Sequence, residues 1–357
     1  MYSNSTNSSS EVILSKINNV ACITLNRPKQ LNALNLPMVK EMQKQLSDCE
    51  SDSKIKVIII KGAGDTAFCA GGDVKSQRNF LLEGKLDSAM EFFKEEYKLN
   101  YQIYNCKKPY IAFINGVTMG GGVGVSVHGR YRIATEKTLF AMPETAIGFF
   151  ADVGGSYFLS RLKDKIGIYL VLTGNRLKGK DVKRTGIATH YMDSKVLSDF
   201  EAQLYENKHL SVEDLLKKYD EKIADDFDSS KILANFNESS LEKIMYNLEK
   251  DGSEWSKQQL KLLNKMSPSS LKVAIKQLEL GFNKSLKECL EMEYQLCLRF
   301  CTKCDFSEGV RAVLIDRGDT PKWSPDKISD VNQNLVDWYF NALPEDDKLI
   351  LTNPSKL

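Results

Sequence analysis

The chain reads as an α/β protein whose first part alternates strands with helices and whose C-terminal region is mainly helical. Three observations carry that expectation. β-branched runs closed by glycine or proline recur with an amphipathic segment between them, and helical periodicity takes over from about Val196. The composition, 42% hydrophobic and 27% charged over 357 residues, is that of an ordinary folded chain able to bury one large core or two smaller ones.

Each element follows from its own pattern. "VACITLNRP" and "IKVIIIKGAG" are strand-then-turn. Between them, "LPMVKEMQKQLSDCE" spaces Met38, Met42 and Leu46 four apart, which predicts an amphipathic helix. "KPYIAFINGV" is a further strand, and "YRIATEKTLFAMPE" holds two short ones. In "SPSSLKVAIKQLEL", Ser267 caps a helix with Pro268 in its first turn, and Leu271, Ile275 and Leu278 line one face. The expected divisions are a disordered N-terminus (1–10), a core (11–195), a helical region (196–350) and an exposed tail (351–357).

A formal net charge of +2 argues against nucleic acid or an anionic membrane as the main partner. No apolar run approaches the roughly eighteen residues that cross a bilayer. Eight irregularly spaced cysteines read as reduced thiols and not as a disulfide scaffold. "MYSNSTNSSS" has no apolar stretch for a secretory signal, and Glu11 precedes the first arginine, Arg27, unlike an Arg-rich presequence. The chain ends Ser355-Lys356-Leu357, the peroxisomal address, so a peroxisomal location and an import receptor as partner are expected.

"AMPETAIGFFADVGGSYF" sets Glu144 and Asp152 eight residues apart in a run that otherwise reads as core. A buried carboxylate without partners is costly and tends to hold its proton, so these two either find partners elsewhere or do chemistry. "FCAGGDVKS" and "NGVTMGGGVGVSVHG" each place glycines where a strand passes into a loop or helix. Amides at such a helix start lack intrahelical acceptors, and two of them can converge on one developing oxyanion; glycines there also simply allow tight turns. Gly120, Gly122 and Gly124 do not form a dinucleotide fingerprint, because Val125 and Val127 stand at the third-glycine positions.

Together "FCAGGD", "NGVTMGGG" and "MPET" resemble the crotonase superfamily of acyl-coenzyme-A enzymes. The longer run from Met119 to "GFFADVGGSYFLSRL" is similar to the 3-hydroxyisobutyryl-CoA hydrolases, and the tail to their plant peroxisomal branch. The resemblance spans "LNRPKQLNAL" to "DFSEGVRAVLIDRGDTPKWSP" and implies a crotonase-like core of repeated ββα turns, binding acyl-CoA and carrying the catalysis, before the helical region. It implies hydrolysis of 3-hydroxyisobutyryl-CoA in valine breakdown, with no cofactor beyond the coenzyme A of the substrate and no metal. A carboxylate that binds the hydroxyl accommodates 3-hydroxypropionyl-CoA as readily, because one methyl is worth only about 1–3 kcal/mol of discrimination. By position it makes Gly72 and Gly121 the oxyanion-hole donors, Glu144 and Asp152 catalytic, and Glu96 of "EEY" a substrate-binding residue alongside Gly121, Glu144 and Asp152. Hydratases of the superfamily carry a second glutamate where this chain has Gly124, which argues against hydration. Ala151 stands where the family has proline, so the loop that aims Asp152 lacks that restraint. A homo-oligomer is compatible with the family.

Other features read as structure. Glu96 has an alternative as part of a solvated helix face in "EFFKEEYKLN". Cys297, Cys301 and Cys304 have a spacing used in metal sites, yet the first two fall on a helix's apolar stripe with Leu290, Tyr294 and Leu298. His128, His190 and His209 show no ligand spacing, and Ser126 lacks a nucleophile elbow. The rival functions are a different crotonase reaction, which needs a carboxylate at position 124, and non-catalytic acyl-CoA binding, which tolerates loss of Glu144.

Overall fold

In the computed structural model, residues 10–206 and 211–352 are described. The expected N-terminal disorder falls almost wholly outside them, and Ser355, Lys356 and Leu357 lie outside them. The chain divides into two compact units, each assembled from three segments: one from residues up to Gly72, Gln102–Phe140 and Leu177–Asp226, the other from Asp73–Tyr101, Ala141–Arg176 and Phe227 onward.

Among the described residues the strands are β1 (Val12–Ile17), β2 (Val20–Leu25), β3 (Val57–Gly62), β4 (Ala67–Cys69), β5 (Tyr110–Ile114), β6 (Val117–Met119), β7 (Tyr131–Ala134), β8 (Leu139–Ala141), β9 (Leu177–Lys178) and β10 (His190–Tyr191). A six-stranded sheet runs β1-β2-β3-β5-β7-β10, antiparallel only at the β1–β2 hairpin, and a four-stranded sheet runs β4-β6-β8-β9. The parallel strands β3 and β5 are almost continuously apolar, as strands covered on both faces must be. In the first unit, one side of the large sheet packs Cys22, Ile59, Phe113 and Ile133 against Phe200, Leu204, Leu215 and Leu216 of the helices Ser194–Glu206 and Val212–Tyr219. The predicted helix forms as Leu36–Ser51, and Met38, Met42 and Leu46 are all buried.

The second unit is helical. Ser267 accepts a hydrogen bond from the Ser270 amide and opens the helix Pro268–Phe282, whose Leu271, Ile275 and Leu278 are buried as their spacing predicts. A capping box of Ser285 and Glu288 opens the next helix, Leu286–Cys301. Phe93, Phe149, Phe150, Phe300 and Phe306 interlock at ring-centroid distances of 4.6–5.7 Å. The α/β class with a helical C-terminal region is therefore borne out.

Candidate active site

Gly72 and Gly121 both belong to the first unit. The chain leaves β4 through Ala70, whose amide donates to the Leu31 carbonyl, and Gly71, whose carbonyl accepts from the Leu34 amide at 2.8 Å. Gly72 then bridges Leu34 in parallel fashion. The second loop leaves β6 through Gly120, at φ +46°, into the short helix Gly121–Val127. Its first hydrogen bonds run from the Val123 and Gly124 amides back to the Gly120 carbonyl, so the Gly121 amide stands in the turn where a helix supplies no acceptor. The two loops lie against each other. A Cβ on Gly122 would meet the Cys69 carbonyl oxygen at 2.2 Å, and one on Gly71 would stand 3.9 Å from the Gly121 nitrogen. Close backbone approach requires glycine at 122, and a φ of +119° favours it at 71.

The second unit brings the three predicted carboxyl groups together. Glu144 starts a tight 3₁₀ turn, Glu144–Ile147, that ends in the left-handed Gly148. Gly148 is pressed so near Asp305 that a Cβ would lie 2.3 Å from its carbonyl oxygen. Glu96, on the helix Leu86–Tyr104, is only 2% exposed, which settles the choice against a solvated face. Glu144 and Asp152 are equally enclosed. Burial first, then the charges of Asp152 and Glu144, holds the Glu96 carboxyl well above the usual carboxylate range. Burial and then Asp152 do the same to Glu144, whose Oε2 has no hydrogen-bond partner. Asp152 is pushed up to about 7 by burial, against the pull of the Tyr97 hydroxyl, which donates to its Oδ2 at 3.0 Å. Three neighbouring carboxyl groups under one low-dielectric roof repel each other's charge, and of the three Asp152 is the one poised to exchange a proton near neutrality.

The loop that carries Asp152 is strained and clamped. Val153 adopts φ +52°, a left-handed conformation that a β-branched residue rarely takes, and Gly154 follows at +85°. Glu293, wholly buried, accepts hydrogen bonds from the Gly154 amide at 2.7 Å, the Ser156 amide at 2.9 Å and the Ser156 hydroxyl. Burial pushes Glu293 up to about 8 even with those donors pulling it down. Gln277 donates from Nε2 to the Ala151 carbonyl at 2.7 Å. Ala151, which lacks the restraint of a proline ring, is thus held by a side chain on the helix Pro268–Phe282.

Tyr97, Gln277 and Glu293 were not singled out from the sequence. Glu293 left a signal nonetheless: it stands on the apolar stripe formed by Leu286, Cys289, Leu290, Leu296 and Phe300. Cys297 and Cys301 are buried free thiols on that helix and Cys304 is exposed beyond it. Among the described residues no group of three or more His, Cys, Asp or Glu is arranged to hold a metal ion, and no helix is long and apolar enough to cross a membrane.

This combination of sheet, paired glycine loops and buried carboxylates places the molecule in a defined class. Residues 20–340 match the enoyl-CoA hydratase/isomerase family, and the chain belongs to that family. Within it, the chain is 48% identical over 354 residues to a protein of Danio rerio named 3-hydroxyisobutyryl-CoA hydrolase, mitochondrial, covering 96% of this chain and 92% of that one. The Rattus norvegicus protein of the same name is 49% identical, covering 94% and 90%. Among solved structures, a carnitinyl-CoA dehydratase from Mycobacterium thermoresistibile superposes with a TM-score of 0.90 at 31% identity over 97% of this chain and 99% of that one. An enoyl-CoA hydratase from Rhodobacter sphaeroides 2.4.1 does so at 0.89 and 31%, over 96% of this chain and 100% of that one. The resemblance to the 3-hydroxyisobutyryl-CoA hydrolases is borne out. The peroxisomal expectation is corrected: both hydrolase relatives are named as mitochondrial, which points away from a peroxisome. The plant peroxisomal branch and the import receptor lose their support with it, since a terminal tripeptide is short enough to recur by chance.

Proposed function

We propose that this chain is a thioester hydrolase acting on 3-hydroxyisobutyryl-CoA, the reaction that the resemblance ties to valine breakdown. The observation that carries the reading is the buried trio Glu96, Glu144 and Asp152 with an unpartnered oxygen on Glu144. The amides of Gly72 and Gly121 hold the thioester oxygen as it gains charge. In its ionised form Glu144 either attacks the carbonyl carbon and expels the thiolate, water then cleaving the resulting anhydride to free the acid and the carboxylate, or draws the proton from a water that attacks the carbonyl as the C–S bond breaks. Asp152, with its carboxyl near neutrality, passes a proton to the departing thiolate. Glu96 binds the hydroxyl end of the acyl group. 3-Hydroxypropionyl-CoA, shorter by one methyl, is accepted too, because a methyl is worth only about 1–3 kcal/mol of discrimination.

The solved relatives titled hydratase and dehydratase are 31% identical to this chain and the hydrolases 48–49%, which favours hydrolysis. Gly124, buried in the first turns of its helix, offers no second glutamate. The test measures CoA thiol release from 3-hydroxyisobutyryl-CoA beside water addition to crotonyl-CoA. Release with negligible hydration is expected, and hydration as fast as release overturns the reading.

A further inference from the structure

One turn beyond Glu96, the same helix carries Asn100. Four residues advance a helix by little more than a full turn, so the two side chains share a face. Asn100 is 0% exposed, yet neither its Oδ1 nor its Nδ2 has a hydrogen-bond partner, and the Oε1 of Glu96 lacks one as well. On the same helix Leu99 and Ile103 are buried and apolar, and the buried Tyr97 hydroxyl is taken by Asp152. A buried amide with every polar atom unpaired is among the most costly things a core can hold, and folded proteins almost always provide partners. Leucine would fill the space without that cost. An amide kept there is waiting for a polar group that arrives from outside the protein.

We infer that Asn100 is a substrate-recognition residue whose amide, beside the Glu96 carboxyl, receives the hydroxyl of a 3-hydroxyacyl thioester. The chemistry selects an amide. A hydroxyl donates one hydrogen and accepts through its oxygen, and asparagine supplies both an acceptor and a donor. Glu96 can donate only while it keeps its proton and offers acceptors alone once ionised, whereas the amide donates in either case. Nδ2 donates to the hydroxyl oxygen while Oδ1 or Glu96 accepts its hydrogen. This assignment rests on the thioesterase reading above.

The experiment compares kcat/KM of the full-length protein for 3-hydroxyisobutyryl-CoA and isobutyryl-CoA in the wild type, Asn100→Leu and Asn100→Asp. For Asn100→Leu, the loss on the hydroxy ester should exceed the loss on isobutyryl-CoA by roughly tenfold or more, the worth of a hydrogen bond in a dry site. Asn100→Asp, nearly isosteric and decisive if the leucine variant does not fold, should show the same bias at high pH. It should recover at low pH, where a protonated carboxyl again donates. Equal losses on both esters, as when Asn100 merely holds a water, or no loss on either, overturn the assignment while leaving thioester hydrolysis standing. A second measurement separates the two readings: the rise in melting temperature with 3-hydroxyisobutyrate against isobutyrate. If the wild type cleaves neither ester but is stabilised selectively by the hydroxy acid, and Asn100→Leu abolishes that, recognition stands and the thioesterase reading falls. If there is neither cleavage nor selective stabilisation, both fall.

Discussion

The carboxylate of Glu293 takes the Gly154 amide hydrogen at 2.7 Å, two residues past Asp152, and so fixes the turn on which Asp152 rides. Glu293 can do this because it accepts from three donors at once, which no neutral side chain of its size can match.

Glu293→Gln keeps the volume but leaves one acceptor oxygen for three donors. The variant should lose about 1–3 kcal/mol of stability for each buried donor left unpaired. Its kcat should fall more than its KM rises, because the turn that aims Asp152 relaxes from its left-handed Val153 geometry. Urea denaturation and steady-state kinetics check both, and an unchanged kcat counts against the clamp.

Tyr97→Phe removes the side-chain hydrogen bond that favours the Asp152 carboxylate. With Asp152 already pushed up to about 7 by burial, its affinity for a proton must rise further. Whichever limb of the kcat/KM profile Asp152 sets should move to higher pH. A profile followed from about pH 5 to pH 9 that stays put or moves down contradicts the assignment.

Glu144→Gln should cut hydrolysis at least roughly a hundredfold, the low end of what a lost acid–base group costs, with CoA-ester binding largely kept. It should also change how stability depends on pH. The folded Glu144 holds its proton well above the usual range, whereas the unfolded chain releases it near 4.5, so ionisation opposes folding as pH rises through and beyond that value. The glutamine variant escapes this penalty and should gain stability relative to the wild type between about pH 5 and pH 8. Denaturation midpoints at the two ends of that range decide it.

Gly122→Ala tests the contact between the two glycine loops. The added methyl would sit 2.2 Å from the Cys69 carbonyl oxygen, backbone against backbone, so one loop must move. A loss of about 1–3 kcal/mol in stability is expected, together with a fall in kcat. Wild-type stability in urea speaks against the close approach.

The period of the pattern decided what could be read in advance. Met38, Met42 and Leu46, and later Leu271, Ile275 and Leu278, are buried because side chains three or four apart share a helix face, a local rule that needs no tertiary knowledge. Glu144 and Asp152 stood out for the opposite reason, as polar groups inside an apolar run. Glu96 was ambiguous because Glu91, Lys94, Glu95 and Lys98 surround it in sequence, yet it occupies the buried face with Phe92, Phe93 and Asn100. The positive φ of Val153 and the division of each unit among three segments come from packing between distant parts of the chain, on which local pattern is silent.

Gln277 and Glu293 grip the Asp152 turn from 126 and 139 residues further along the chain. Synthesis runs from the N-terminus, so a nascent polypeptide has its glutamate and aspartate in hand long before it has the means to aim them. Until the ribosome has released residue 293, the turn that carries the left-handed Val153 lacks the Glu293 clamp on its Gly154 and Ser156 amides. A product terminated before that point would carry its glycine loops and all three carboxyl groups without the clamp that fixes the Asp152 turn.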